Sequence, residues 1–572
     1  MKKFICLLIA VICTMSFVAC TPSGAGGGGT GGGGGNSTKS ELRVAVIDSG
    51  LGTEFAKEYE RDFEDYYKDY SFEDGKTGVD VVLVPGLNEY ASSTLINTMP
   101  TLDTTVYILD DLMYRDFVTQ GLLVDITDIA TEKIYDEDGN FAEDTGKDAT
   151  LCIEDMMADG FSEFSRKVDG KIYGIPFRAS VAGIIYDAGM FDEERLFLNE
   201  NNQVGANYAD IEEGNCSTGP DGVLGTYDDG LPNTMADFAY LMKEIAMDPS
   251  RIPFCFSGKY VYVRNHAFQA IHANYEGYDN YMLNYTFDGY DTGLNKQISP
   301  SNYKDLLYQN GRKAGIRFFE EIFKQQAYST NSKYSSDQTQ AQKEFIESVE
   351  AEKRIAMFME GGYWESESRK VFDDMGAYNS DYGYGKRDFR LMAIPNFVGD
   401  EWVPDQVNTQ RVLRAAAPHG TNIVLSKYNT SPNPELALEI GKKFVQFINR
   451  RDQLVDFTKN TGGCVRCVEA PTAYTEAELN SLTKFGRSIY EYLNDGAKIA
   501  YTIDLADVRF TNPKSFSFIG SGDGNWGFAC SIVGGSEFGD PLSVFLSSTK
   551  PTADDVFSGM VNFTKLQAPA EQ

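Results

Sequence analysis

The chain has 572 residues, 84 of them acidic against 51 basic, for a formal net charge of −33. Such acidity excludes a nucleic-acid or anionic-lipid surface as the main partner, because phosphate repels it. A body of this length buries ample apolar surface without disulfide staples and is expected to divide into at least two lobes.

Lys2 and Lys3 precede a 16-residue apolar run, FICLLIAVICTMSFVA. This reads as a secretory signal over residues 1–19, shorter than the ~20 apolar residues of a spanning helix. Its removal would leave 84 acidic against 49 basic residues, a net −35. In residues 20–40, ten of the twelve positions from Gly24 to Gly35 are glycine. Glycine loses the most backbone entropy on ordering and buries nothing, so this run predicts a flexible tether.

The body opens with LRVAVI (42–47), a buried-strand run ending in the turn DSGLG. Thr53 stands at an N-cap position before Phe55, Tyr59, Phe63 and Tyr66, whose spacing predicts an amphipathic helix. VDVVLV (79–84) and TVYIL (105–109) predict two further strands. Strands and helices alternating in this way build a parallel sheet, with ligands beyond the carboxyl ends of its strands. KIYGIPF (171–177) and AGIIYD (182–187) read as strands, and TMADFAYLMKEIA (234–246) as a helix. RIAMFMEGGYWES runs strand, glycine turn, aromatic pair. FRLMAIP (389–395) and TNIVLS (421–426) are late strands, and Asn433-Pro434 opens a helix. Regions 131–150 and 199–233 are Gly- and Asp-rich and look too irregular for core. No internal repeat is present.

The order of these segments resembles the extracellular solute-binding proteins of ABC importers, family 1, the sugar-binding class. The match rests on the first strand with its glycine turn and aromatic helix, on LDTTVYILDD…VTQGLLVDITDI, and on DGKIYGIPFRASVAGIIYD. LPNTMADFAYLMKEI, KRIAMFMEGGYW, LMAIPNF and TNIVLS…ALEIGKKFVQFINRRDQLVDFTKNTGG continue it in order. Phe17-Val18-Ala19-Cys20 resembles a bacterial lipobox, with Phe17 in place of the usual Leu, which implies a lipid-anchored Cys20. The chain is longer than typical members, and 131–150, 199–233 and 270–300 supply the excess.

The resemblance implies an α/β, two-lobed periplasmic-binding-protein-like fold of type II with a ligand cleft between the lobes. Lobe 1 is expected at 41–178 plus 388–428 and lobe 2 at 179–387 plus 429–572, with a hinge at FRAS (177–180). It implies a lipoprotein on the outer face of the bacterial cell membrane, held through its N-terminal lipid only. As a monomer, it would deliver a sugar or oligosaccharide to ABC permease subunits. No enzymatic activity and no required cofactor are implied. Other readings are an oligopeptide or polyol binder, a sensory binding protein, and a secreted polysaccharide-degrading enzyme. Against the enzyme stands the lack of a Ser-His-Asp pattern, zinc motif or nucleotide loop; His266, His272 and His419 are the only histidines.

Sugars offer hydroxyls at the rim and C–H bonds on the face, so their sites combine polar side chains with aromatic rings. The resemblance points to Trp364 after EGG and Trp526 in GSGDGNWGF as stacking rings, with core packing as the bland alternative. Trp402 reads as a surface aromatic. Asp110 ends the third strand and is expected to accept sugar hydroxyls or to cap a helix. Tyr107, Arg178 at the lobe crossing, Tyr260 and Glu54 complete the candidate ligand contacts. Asp221, Asp228 and Asp229 in GPDGVLGTYDDGLP resemble a calcium loop, with a structural ion as the expectation and plain turns as the alternative. Asp136, Asp138 and Asn140 read as a turn. Cys464 and Cys467 form a lone C-x-x-C; without a second pair, a local disulfide or two core thiols are expected over zinc.

Overall fold

Two sheets, each wrapped by helices, share three passages of chain in this computed structural model. It describes residues 38–558 with breaks, the longer ones at 85–91, 159–166, 397–410 and 502–529. The signal, Cys20 and the glycine tether lie outside the described residues.

The chain begins with β1 (Ser40–Val46), α1 (Glu54–Tyr66), β2 (Val79–Val84), α2 (Ser92–Thr98), β3 (Val106–Leu109) and α3 (Tyr114–Thr119). Next, β4 (Gly174–Pro176) runs almost directly into the long β5 (Arg178–Asp187). There follow α4 (Met235–Ala246), β6 (Arg251–Cys255), α5 (Val261–Glu276), α6 (Tyr278–Thr286), α7 (Asn310–Lys324) and α8 (Gln338–Glu347). Then come β7 (Arg354–Gly361), the short α9 (Trp364–Glu367), β8 (Phe389–Met392), β9 (Val412–Ala416) and β10 (Asn422–Leu425). Last are α10 (Pro434–Phe447), α11 (Arg451–Asn460), β11 (Val465–Arg466), α12 (Lys484–Leu493) and β12 (Lys498–Tyr501).

The first sheet has the order β2-β1-β3-β10-β4. Its first three strands are parallel, and β10 runs antiparallel to both β3 and β4. The second has the order β6-β7-β5-β9-β12, with β8 and β11 also pairing to β5.

Helix α1 forms because its apolar residues fall on one face. Phe55, Tyr59 and Phe63 are buried there. They meet Phe457, Phe444 and Phe447 of α11 and α10 edge-on, with ring centroids 5.2 to 6.5 Å apart. Thr53 does occupy the N-cap position, but its side chain makes no capping bond; its carbonyl accepts from the Ala56 and Lys57 N–H groups instead. Elsewhere side chains do cap: Thr234 and Asp237 form a reciprocal capping box at α4, and Asn433 accepts from Leu436 N–H ahead of Pro434 at α10.

The lobe division differs from the sequence expectation in two stretches. Residues 388–428 were expected in lobe 1, yet β8 and β9 pair with β5 in the second sheet, and only β10 joins the first. Residues 429–460 were expected in lobe 2, yet α10 packs on β1 and β10, and α11 on α1. The amphipathic stripe of α10 would suit either sheet; what decides is the aromatic face that α1 presents. The region 131–150 is also less irregular than its composition: Tyr135 is fully buried in the first-lobe core, and its hydroxyl donates to the Gln446 carbonyl at 2.6 Å. Asp136 does make the expected turn, accepting from the N–H groups of Asp138 and Asn140.

Candidate ligand-binding cleft

Three passages join the sheets. The first is Pro176 to Arg178, where β4 of the first sheet becomes β5 of the second, overlapping the start of FRAS (177–180). The second connects β9 to β10. In the third, β11 leaves α11 and pairs with β5, Val465 facing Ala179 and Arg466 facing Arg178.

Arg466 locks this crossing. Its guanidinium is buried and donates to the Phe177 carbonyl (2.8 Å), the Tyr59 hydroxyl (2.9 Å), the Ile448 carbonyl (3.1 Å) and Asn449 Oδ1 (2.7 Å). It also lies 4.5 Å over the Phe177 ring. Its cross-strand partner Arg178 is half-buried at the head of β5, and its charge acts on Glu367 and Cys464.

The lobes meet where the turn after β1 faces the turn after β7. Gly50 adopts φ +69°, and a Cβ there would lie 3.3 Å from Tyr363 Cδ2 and 3.5 Å from Glu367 Oε1. Glycine is thus required both for the left-handed backbone and for close approach. Tyr363, carried by the second sheet, packs against the first-lobe core. Its chain neighbour Trp364 points the other way.

Glu367 is held from behind. Its Oε2 accepts from the amide of Gln338 at 2.8 Å and from that of Gln342, both on α8. Ser368 Oγ donates to Gln342 Oε1 at 3.0 Å, which turns the Gln342 NH₂ toward the carboxylates. The same amides reach Glu360 at the end of β7, at 3.5 and 3.3 Å, and Gly361 N–H donates to Glu360 at 2.8 Å. Burial pushes the Glu360 carboxyl up to about 8, against the hydrogen bonds that favour its ionised form. Burial also raises Glu367, opposed by both amides and by Arg178. Behind them Glu365, raised to about 7 by burial, accepts from the Thr483 hydroxyl at the start of α12. The arrangement offers a fixed carboxylate, a phenol ring, amides and a guanidinium at one interlobe rim. That set suits hydrogen bonds to hydroxyls and stacking on C–H faces.

The sequence candidates fall on both sides of this picture. Arg178 is brought to the cluster. Trp364, expected as a stacking ring, is fully buried among Phe345, Phe372, Phe389 and Phe485, with centroids 5.1 to 5.7 Å away. The glycine turn directs Tyr363, not Trp364, toward the opposite lobe. Tyr107 is likewise buried, on the α2 and α3 side of β3, while Val106 and Ile108 face α1 and α10. Glu54 is exposed at the first position of α1 and pairs with Lys57 at 2.6 Å. Asp110, Tyr260, Trp526 and Trp402 lie outside the described residues.

Asp221, Asp228 and Asp229 accept hydrogen bonds within their own loop. Asp221 accepts from Val223 N–H, Asp228 from Asp221 N–H and the Thr226 hydroxyl, and Asp229 from Gly225 N–H. Among the described residues no three acidic, His or Cys side chains are placed to hold a metal. Cys464 and Cys467 are both buried and are not joined to each other in a disulfide, one lying in each lobe's core. Sequence reasoning missed Glu360, Tyr363, Glu367, Gln338 and Gln342. The available signal was the EGGYWESE string itself, in which a double-glycine turn after a strand precedes both an aromatic and acids.

No family model and no curated protein matches the chain. Solved structures do. The SBP RafE in complex with raffinose superposes with a TM-score of 0.51 at 14% identity, covering 93% of this chain and all of its own. The apo form of RafE from Streptococcus pneumoniae gives 0.52 at 13%, covering 94% and 100%. The cyclic alpha-maltosyl-1,6-maltose binding protein from Arthrobacter globiformis gives 0.50 at 12%, covering 92% and 99%. Likeness over nearly both whole chains at such low identity is a likeness of fold. The chain has the two-lobed, type II periplasmic-binding-protein architecture.

Proposed function

We propose that the protein captures an uncharged carbohydrate, an oligosaccharide in preference to a single sugar, between its lobes and passes it unaltered to an ABC importer permease. The observation that carries this reading is the Tyr363–Glu367 pair set against the Gly50 turn of the other lobe. A ligand spanning that rim touches both lobes at once, so it binds the closed form better than the open one and shifts the population toward closure. The ligands named for the fold neighbours, raffinose and cyclic alpha-maltosyl-1,6-maltose, belong to the same chemical class. Asp110, Tyr260 and Trp526 are proposed as further contacts. In this reading the chain is a monomer anchored by lipid at Cys20 on the outer face of the cell membrane.

Thermal unfolding against a panel of mono- and oligosaccharides, polyols and oligopeptides tests the ligand class. A true ligand at a hundred times its Kd stabilises by ~2.7 kcal/mol. A response to peptides or polyols with none to any saccharide would overturn the reading.

A further inference from the structure

Glu360 and Glu367 share their donors. The Gln338 amide lies 2.8 Å from Glu367 Oε2 and 3.5 Å from Glu360 Oε1, and the Gln342 amide reaches both carboxyls as well. Glu360 is only 1% exposed. An amide nitrogen carries two N–H groups and no net charge, so it bridges two acceptors but neutralises neither. Two ionised carboxylates gathered at the same donors, one of them out of water, repel each other strongly enough that one keeps its proton.

Among the described residues, the groups facing the pair come from four elements. From α8 come Gln338 and Gln342, and from the turn into α9 come Gly361 N–H and Tyr363, whose phenol also bonds Glu360. From β5 comes Arg178, whose charge acts on Glu367, with Cys464 beyond it. From β6 comes the buried Cys255, with Glu344 of α8 near it. Arg178 is the cation among these, and it favours ionisation of Glu367 rather than Glu360. The Glu367 Oε1 directed at Gly50 accepts no hydrogen bond from a described residue, whereas both oxygens of Glu360 are engaged.

We propose that the turn after β7 holds one proton on Glu360 at the lobe boundary, so that Glu367 meets the ligand as a lone anionic acceptor balanced by Arg178. This proton sets the specificity of the site for uncharged, hydroxyl-bearing ligands. The inference rests on the carbohydrate reading for its ligand and on the shared amides for its proton. The raised Glu360 carboxyl, near 8, agrees with it. Ionisation of Glu360 adds a second buried negative charge beside Glu367, which costs the closed form its fit to a neutral ligand.

Two measurements on the full chain test it separately. The first needs no ligand. Because the folded protein holds this proton more tightly than the unfolded chain, stability falls as pH rises from the ordinary glutamate range toward 8, then levels. In Glu360→Gln that part of the slope is expected to vanish, and the wild-type-minus-Glu360→Gln infrared difference is expected to show a protonated-carboxyl band lost through pH 8. A wild-type slope identical to that of Glu360→Gln, or no such band, overturns the proton assignment. The second is calorimetric titration with raffinose and maltotriose as neutral probes from pH 6 to 9.5. Wild-type affinity is expected to fall about tenfold per pH unit above the break, and the Glu360→Gln curve to lack the break. Wild-type affinity that stays flat to pH 9.5 overturns the specificity role. If neither probe nor any other saccharide binds while the stability slopes differ, the carbohydrate reading fails and the proton assignment stands.

Discussion

Tyr363 and Trp364 are adjacent in the chain and opposite in role, because the turn after β7 sends one ring across the lobe boundary and the other into the core. Their substitutions separate accordingly. Tyr363→Ala is expected to weaken binding of the saccharide found in the panel by about tenfold, the value of one stacked ring. Glu367→Ala is expected to weaken it by about ten- to a hundredfold, as loss of a charged acceptor does. Both are read by calorimetry. Trp364→Ala removes a ring enclosed by four phenylalanines within 5.7 Å. It is expected to lower unfolding stability by about 3–5 kcal/mol through the cavity left behind. A large loss of affinity in Trp364→Ala with wild-type stability would place that ring in the site after all. At the acid end, Glu478 is held at about 2 by its bonds to Arg451 and Thr475. Its contribution is complete above the ordinary glutamate value and disappears as pH falls through about 2. Glu478→Gln should therefore flatten the acid limb of the stability curve between about pH 4.5 and 2, as followed by circular dichroism.

Among the elements, the short β11 does more than its two residues imply. It places Arg466 against first-lobe groups and pairs it with Arg178 at the lobe crossing. Arg466→Ala removes a donor from the Tyr59 hydroxyl, Asn449 Oδ1, the Ile448 carbonyl and the Phe177 carbonyl, the last of which keeps the Cys467 N–H. The expected cost is on the order of 3 kcal/mol, with hydrogen exchange accelerating at residues 177–180 and 465–467 ahead of the rest. Exchange that rises evenly over both lobes would deny the crossing its separate role. The aromatic face of α1 was legible in sequence, because Phe55, Tyr59 and Phe63 recur at helical spacing. The placement of α10 and α11 was not. An amphipathic helix declares that it must cover something, and only the rings of α1 specify what.

For the whole molecule, the two sheets and three passages predict a hinged body that shuts on its ligand. X-ray scattering with a saturating saccharide should show a smaller radius of gyration than the free protein, and Arg178→Ala should reduce the change; an identical profile with and without ligand would contradict closure. Composition and periodicity by themselves determined that the body is α/β, acidic and built for more than one lobe. Strand runs, helical spacing and segment order are local properties, and they survive without knowledge of contacts. The tertiary structure decided which sheet each late strand joins, which ring of the Tyr363-Trp364 pair faces the opposite lobe, and that Glu360 and Glu367 share two amides. Those facts depend on pairing and burial between segments far apart in the chain: Gly50 lies more than three hundred residues from Tyr363. No periodicity within a window of sequence records that distance being closed.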